Sequence, residues 1–324
     1  MSFETAKMAI DRIKSGPFKV QLAGGEPLLN LELVRLIYKY IKEAGTPAVL
    51  QMQTNGTLIR KETASELKKM NISLGVSMDG GVEMNEALRG KSADIIQGIQ
   101  HLAQAGIKVN LNCVVTSLNV KHLPQLVDMA FYFGNVGGIG LDLLRKSGRA
   151  IQKQIAEADP DEISAALRAA YEKTQFLYSI TGKKIIIREI EDARKRLLAD
   201  TKCKGYCHAS CGGSMVVLPD GCLYPCGSLA GMSQYYMGNV NQENIKIIEL
   251  KTNKDKNCTN CKYKKVCPGG CPSRLIMNYG NTYYSPQDCA LRRTAFEIAE
   301  YDIKNQPNKP CDTREEENCL SLKT

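Results

Sequence analysis

The sequence predicts an α/β protein: parallel strands with helices outside them, in a barrel or partial barrel, followed by a small cysteine-rich region. Three observations carry this. Between residues 18 and 144, short apolar runs of strand character alternate five times with stretches of helical periodicity, as parallel strands joined by crossover helices do. The segments GGEP (24–27), TNG (54–56) and SMDGG (77–81) each close a strand, so they converge on the rim where such folds keep their active sites. Ten of the thirteen cysteines lie between Cys203 and Cys289. At 324 residues the chain is long enough for a large core and two domains of roughly 100–200 residues each.

In order along the chain, residues 2 to 14 read as an amphipathic helix, with Ser2 as N-cap and Met8, Ala9 and Ile13 on one face. Phe18 to Leu22 is a strand. Leu28 to Ala44 is a helix, opened by Pro27 in its first turn and ended by Gly45. Val49 to Gln53 is a strand running into the turn TNGT, Glu62 to Met70 a helix, and Ile72 to Met78 a strand closed by Asp79, Gly80 and Gly81. Ala93 to Ala105 is a helix capped by Gly106. Ile107 to Val115 is a strand, Leu123 to Phe133 a helix and Gly138 to Leu144 a strand. A longer helix over 158 to 180, a short strand at Ile185–Ile187 and a charge-rich connector helix over 189 to 200 follow. From 201 the texture changes to short segments, turns and cysteines, and residues 306 to 324 form a polar tail. The boundaries are therefore 1–182 for the α/β unit, 183–200 for the linker helix, 201–305 for the cysteine-rich unit and 306–324 for the tail.

Composition excludes several classes. No run of about 18 apolar residues is present, so no transmembrane helix and no membrane partner are expected. The N-terminus mixes acids with bases and lacks an apolar core, unlike a signal peptide, and the expected location is the cytoplasm. The net charge of +9 comes without a dense basic run interleaved with aromatics, so nucleic-acid binding is not expected. Two [4Fe–4S]²⁺ clusters on thiolates, at about −2 each, would bring the charge to roughly +5.

Crowded cysteines in such a chain favour metal over disulfides. Cys211 is followed by Gly221 and Cys226 in the spacing CX9GX4C; then CTNCKYKKVCPGGC supplies Cys258, Cys261, Cys267 and Cys271, and Cys289 follows. Short loops let neighbouring thiolates converge on one centre while distant ones close the shell. Gly221 sits in a PDG hairpin turn between VVL and CLYPC that brings Cys211 and Cys226 to one end of a small β unit. By donor type alone, zinc and iron–sulfur both satisfy four thiolates. Cys203, Cys207 and Cys222 are surplus near the first group; one is a candidate fourth ligand, the others apolar thiols.

This pattern resembles the SPASM domain of radical S-adenosylmethionine (SAM) enzymes over about residues 203 to 295. The resemblance implies two auxiliary [4Fe–4S] clusters. Cys258, Cys261, Cys267 and Cys289 would ligate the outer one. Cys211, Cys226 and Cys271 would ligate the inner one, with Cys207, nearer the hairpin, preferred over Cys203 as fourth ligand. AGGEPLLN is similar to the strand end of the radical SAM core that binds the amino group of SAM, placing Gly24, Gly25, Glu26 and Pro27 there. Glycines let backbone groups approach a ligand with no Cβ in the way. QTNGTL and VSMDGG resemble the next two strand ends, making Gln53, Asn55, Ser77 and Asp79 candidates for SAM or substrate contacts. Each is equally at home as a turn residue. Asn112 would point at the same rim, and Arg145 and Arg149 are either ligands or salt-bridged surface residues.

The implied fold is a partial (β/α)6 TIM-like barrel lacking its first strand, followed by a small cysteine-rich α+β iron–sulfur domain. The family's CxxxCxxC loop, which holds the catalytic cluster, has no counterpart before Cys113, and MSFETAKMAIDRI resembles the helix that follows that loop. The expectation is an N-terminally shortened chain, or a degenerate paralogue, that as written cannot cleave SAM. By resemblance the intact relative acts on a peptide or protein. A 5′-deoxyadenosyl radical abstracts a hydrogen atom, with a reductant such as flavodoxin or ferredoxin supplying electrons. Maturation of a ribosomal peptide is favoured. Anaerobic sulfatase maturation is the alternative. Its members carry an acidic residue after the cysteine matching Cys226, where this chain has Gly227. A non-catalytic iron–sulfur partner and a zinc-stabilised binding module are the other readings.

Overall fold

The computed structural model describes residues 1–13, 16–199, 205–252, 256–280 and 283–305. The expected tail and Cys203 lie outside them. Its centre is a six-stranded sheet in sequential order, every neighbouring pair parallel: β1 (Phe18–Leu22), β2 (Ala48–Thr54), β3 (Ser73–Ser77), β4 (Val109–Val115), β5 (Val136–Leu143) and β6 (Ile186–Ile187). Strict sequential order requires each connection to cross over on a helix, as the alternation in the sequence implies. Those helices are α2 (Leu31–Glu43), α3 (Lys61–Lys69), α4 (Val82–Leu88), α5 (Ser92–Gln104), α6 (Leu123–Tyr132), α7 (Arg149–Gln152) and α8 (Pro160–Thr181), preceded by α1 (Phe3–Asp11) and followed by α9 (Arg188–Leu198).

One sheet face is the core. Met52, Val76, Leu111, Cys113, Ile139 and Leu141 alternate along the strands and share a single hydrophobic cluster with Ile37, Leu67, Ile99 and Leu126 from the helices. Each buried Leu or Ile contributes roughly 1.5–3 kcal/mol. The other face carries Gln53, Ser77, Asn112 and Asp142, the residues between them in sequence. A one-residue slip in register would exchange the two faces.

The helix expected over Leu28 to Ala44 is broken. Pro27–Asn30 forms a 3-10 turn capped by Glu26, whose Oε1 accepts from Leu28 N at 3.3 Å. The Asn30 side chain then accepts from Leu33 N at 3.1 Å and starts α2 afresh. Asp159 caps α8 through Asp161 N and Glu162 N, and Gly182 ends it in the left-handed conformation.

The cysteine-rich region contains the predicted hairpin. β7 (Val216–Val217) pairs antiparallel with β8 (Cys222–Tyr224), and β9 (Gly238–Asn239) adds a third strand. Gly221 has φ +84°, and a Cβ there would lie 2.7 Å from Asn239 Oδ1, so both backbone and space demand glycine. Two helices follow that the texture of the sequence did not announce, α10 (Pro272–Tyr279) and α11 (Pro286–Asn305). α11 packs back on the barrel: Ala295, Phe296 and Ala299 join the main core, Tyr171 of α8 bonds to Asp302, and Arg292 donates to Asp192 of α9 at 2.8 Å. At the other end, Ala9 of α1 packs with Leu223, Met237 and Val240, and Arg12 donates to Val240 O at 3.0 Å. Among the described residues, no helix is long and apolar enough to cross a membrane.

Candidate functional site

The three strand ends meet as expected. Glu26 ties the first to the second: its Oε1 accepts from Thr54 Oγ1 at 2.6 Å and its Oε2 from Asn55 N at 2.8 Å. Thr54 Oγ1 in turn accepts from Gly56 N at 3.0 Å. Asn55 turns its side chain into its own loop, accepting from Thr57 N at 2.9 Å and Thr57 Oγ1 at 2.8 Å, an Asx turn. Gly24, at φ +123°, needs to be glycine for its backbone alone. Gly25 does not, and among the described residues no atom outside the adjoining residues lies within 4 Å of where a Cβ would sit on either. The exposed backbone at 24 and 25 therefore leaves space that no other described residue fills, which fits a ligand approaching the main chain. Pro27 opens the 3-10 turn behind it.

The polar face of the sheet is one connected row. Gln53 donates to Ser77 Oγ at 3.1 Å and accepts from Asn112 Nδ2 at 2.6 Å. These contacts pass over Gly75, where a Cβ would lie 2.5 Å from both Asn112 Nδ2 and Gln53 Oε1. Arg188 Nη1 reaches Asn112 Oδ1 at 3.5 Å, passing over Gly140, where a Cβ would stand 2.5 Å from the guanidinium. Register explains the row: Gln53 faces Gly75 across β2 and β3, Ser77 faces Asn112 across β3 and β4, and Asn112 faces Gly140 across β4 and β5. Glycines form the floor and amides the lining. Sequence reading reached Gln53, Ser77 and Asn112 but missed Gly75, Gly140 and Arg188, which become visible only once the register is known.

Asp79 differs from its neighbours. It is buried, with its carboxylate 2.6 Å from Arg89 Nε and accepting from Val114 N at 2.7 Å; its own N–H donates to Asn85 Oδ1 at 3.1 Å. Fully engaged inside the protein, it holds the SMDGG loop against β4. Asn119, completely buried, seals the same junction by donating to the carbonyls of Asp79 and Val114 at 3.0 and 2.9 Å.

The ten described cysteines are free thiols. Cys113 is fully buried on β4, and burial pushes its thiol well above the ordinary value, so it stays protonated. The others fall into neighbourhoods. Burial raises Cys267 and Cys289, and each also feels Cys261; Cys289 additionally feels Cys258. Burial likewise raises Cys207, which feels Cys271. Cys211 is exposed and its thiol donates to His208 O at 3.3 Å, while Cys226 packs beside Ala209, Leu229 and Leu250. Among the described residues no three His, Cys, Asp or Glu side chains converge closely enough to hold a metal ion. Thiols alone, with Cys258, Cys261, Cys267 and Cys289 within electrostatic reach of one another, are a donor set that suits a thiolate-bound cluster.

A buried charged knot joins this region to the barrel. Arg274, 1% exposed, donates from Nη1 to Asp142 Oδ1 at 2.7 Å and to Leu143 O at 3.1 Å, and pairs with both oxygens of Asp288. Asp288 Oδ1 also accepts from Cys271 N at 3.1 Å. Arg145 pairs with Asp142, and its Nη2 lies 3.3 Å from Cys271 Sγ. Arg145 is thus a bridge between the units rather than a surface pair, whereas Arg149 is exposed at the start of α7.

The profile of the Radical SAM superfamily matches residues 1–130. An uncharacterized protein of Methanocaldococcus jannaschii is 31% identical over 268 residues, covering 80% of this chain and 85% of that one. A cysteine-type anaerobic sulfatase-maturating enzyme of Clostridium novyi is 22% identical over 298 residues, 85% of this chain and 78% of its own. Native anSMEcpe, solved with bound AdoMet (SAM), superposes with a TM-score of 0.78 at 20% identity, over 96% of this chain and 90% of that one; the same enzyme has also been solved with AdoMet and a peptide. At that identity the likeness establishes the fold, and the partial barrel expected from sequence is borne out.

Proposed function

The chain belongs to the radical SAM superfamily, and from that premise we propose that it is a peptide- or protein-modifying enzyme whose C-terminal cysteines carry auxiliary [4Fe–4S] clusters. It is related to the anaerobic sulfatase-maturating enzymes. The observation that carries the reading is the GGEP edge. Glu26 locks the loop to the next strand end through Thr54 and Asn55, and the bare backbone of Gly24 and Gly25 stands clear beside it. That edge suits the amino-acid end of SAM. Beside a reduced cluster, for which residues 1–112 offer no cysteine, bound SAM would supply hydrogen-atom abstraction from an unactivated carbon.

The chain's own residues bind and orient. Gln53, Ser77, Asn112 and Arg188 line the polar sheet face, and the absence of side chains at Gly75 and Gly140 gives them room to meet. Their mutual hydrogen bonds fix their rotamers before any substrate arrives, the preorganisation that positioning requires. Cys258, Cys261, Cys267 and Cys289 would hold one cluster and Cys211, Cys226, Cys271 and Cys207 the other. The shared electrostatics of the first four, and of Cys207 with Cys271, support that division. Flavodoxin or ferredoxin would supply electrons.

The favoured substrate is a ribosomally made peptide. Residue 227, after Cys226, is a glycine and brings no carboxylate to the position that would accept the proton. Sulfatase maturation is the second reading, favoured by the relatives. The test takes the protein purified without oxygen, under a C-terminal tag, from the cells that make it. With SAM and a low-potential reductant, a protein that carries the CxxxCxxC loop is expected to form 5′-deoxyadenosine together with loss of two hydrogens from a peptide encoded beside the gene, whereas residues 1–324 alone, with no cysteine before Cys113, are expected to form none. Formylglycine in a sulfatase peptide instead would select the second reading. Zinc without iron in the purified protein would overturn both.

A further inference from the structure

We propose that Arg145 raises the electron affinity of the cluster bound at Cys271 by donating a hydrogen bond to the cysteine sulfur. This rests on the assignment of Cys271 as a cluster ligand made above. Arg145 leaves the end of β5, and its guanidinium is held on three sides. Nη1 pairs with Asp142, Nε lies 3.4 Å from Ser273 Oγ, and Nη2 lies 3.3 Å from Cys271 Sγ. Cys271 is 5% exposed, so no water competes for the sulfur. A guanidinium keeps its charge inside a protein, so the donor facing the sulfur is cationic.

The effect is local rather than one of net charge. Arg145 and Arg274 balance Asp142 and Asp288 in the same knot, so their distant fields cancel to first order. What remains is the donor nearest the sulfur. A neutral thiol is a weak acceptor, whereas a cluster-bound thiolate is a good one, and it gains charge when the cluster takes up an electron. A hydrogen bond that strengthens on reduction favours the reduced state; hydrogen bonds to the sulfurs are among the determinants of cluster potential. The step is uptake of one electron, with no proton or bond transferred. Arg145 is a positioning residue: it acts through Cys271. It also shares Asp142 with Arg274 at the end of the polar sheet face, so the sulfur's donor is anchored to the face that lines the proposed substrate site.

The test is an anaerobic potentiometric titration of the full chain reconstituted with iron and sulfide, followed by EPR of the reduced clusters. For Arg145→Met the reduced-to-oxidised ratio of one cluster should fall about tenfold at a fixed potential, which for a one-electron couple corresponds to about 59 mV. Iron content and the second cluster should be unchanged. In the unsubstituted chain carrying ¹⁵N-arginine, a ¹⁵N hyperfine coupling to that same cluster is expected, a readout that needs no variant. A wild-type midpoint in Arg145→Met, or no ¹⁵N coupling in a cluster-loaded chain, overturns the inference and leaves the ligand assignment standing. A Cys271→Ala chain that retains all its iron overturns the assignment and the inference with it.

Discussion

Removing Arg274 is the sharpest test of how the two units are held together. Its guanidinium is 1% exposed and serves Asp288 on α11, Asp142 on β5, the Leu143 carbonyl and, at 3.4 Å, the Tyr206 hydroxyl. Arg274→Met fills similar volume but leaves the Asp288 carboxylate, 3% exposed, without its cation. Breaking a buried pair by removing one partner costs about 3–5 kcal/mol, because the surviving charge is left uncompensated. That is a fifth or more of the roughly 5–15 kcal/mol by which a domain is stable. With a urea m-value of about 3 kcal/mol per molar, the midpoint should fall by about 1–1.7 M. The assay is equilibrium urea unfolding of the cluster-free chain, read by circular dichroism. The double variant Arg274→Met with Asp288→Leu should recover most of the loss, since an apolar pair often replaces a buried ionic one without penalty. The exposed pair of Arg35 with Glu66 is the control, and Arg35→Met should leave the midpoint almost where it is, since solvent screens such pairs. An Arg274→Met midpoint no lower than that of the control would refute the reasoning.

Four further outcomes follow from the geometry. Gly75→Ala should destabilise by roughly 1–3 kcal/mol, because its Cβ would part Gln53 from Asn112, and this overpacking outweighs the gain in strand propensity. Gly25→Ala, with open space at its Cβ, should unfold like the wild type and, under the proposed function, weaken SAM binding, which a urea melt and equilibrium dialysis separate. Cys261→Ala should lose iron in anaerobic metal analysis whereas Cys113→Ser should not, since Cys113 is sealed in the core. Glu300 is held down to about 2, first by its bond to Lys262, then by those to Tyr263 and Lys304. A depressed carboxyl contributes stability above its unfolded value, and that contribution is lost as pH falls from about 4.5 toward 2. The acid slope of stability should therefore be shallower in Glu300→Gln over that window.

What could be read beforehand followed periodicity and punctuation. β1 stands at Phe18–Leu22 as its apolar run and flanking glycines require, and Ser2 caps α1 through Thr5 N at 3.1 Å. The rim was legible because turns made of Gly, Asn and Asp end strands. α11 was not, for a physical reason. Wedged between α8, α9 and the cysteine loops, it buries residues on several sides, including Asp288, Thr294 and Asp302, so no single apolar stripe marks it. α4 escaped because seven residues after two glycines give too little period to recognise. Arg274, in CPSRLI, looks like any surface arginine until its two carboxylates, 132 and 14 residues away, are brought to it.

The position of Asp288 and Cys289 in the first turn of α11 has a consequence for biogenesis. A ribosome delivers the sheet, the hairpin and Arg274 before it delivers either of them. During synthesis the guanidinium has Asp142 but not Asp288, and the thiols of 258, 261 and 267 wait for their fourth neighbour. At about 5–20 residues per second, the 15 residues from 274 to 289 take on the order of one to three seconds to emerge, and the segment must then clear the exit tunnel. The barrel folds first, and closure of the charged knot comes late. Under the proposed ligand set, a cluster on Cys258, Cys261, Cys267 and Cys289 would be completed only after this one helix has emerged.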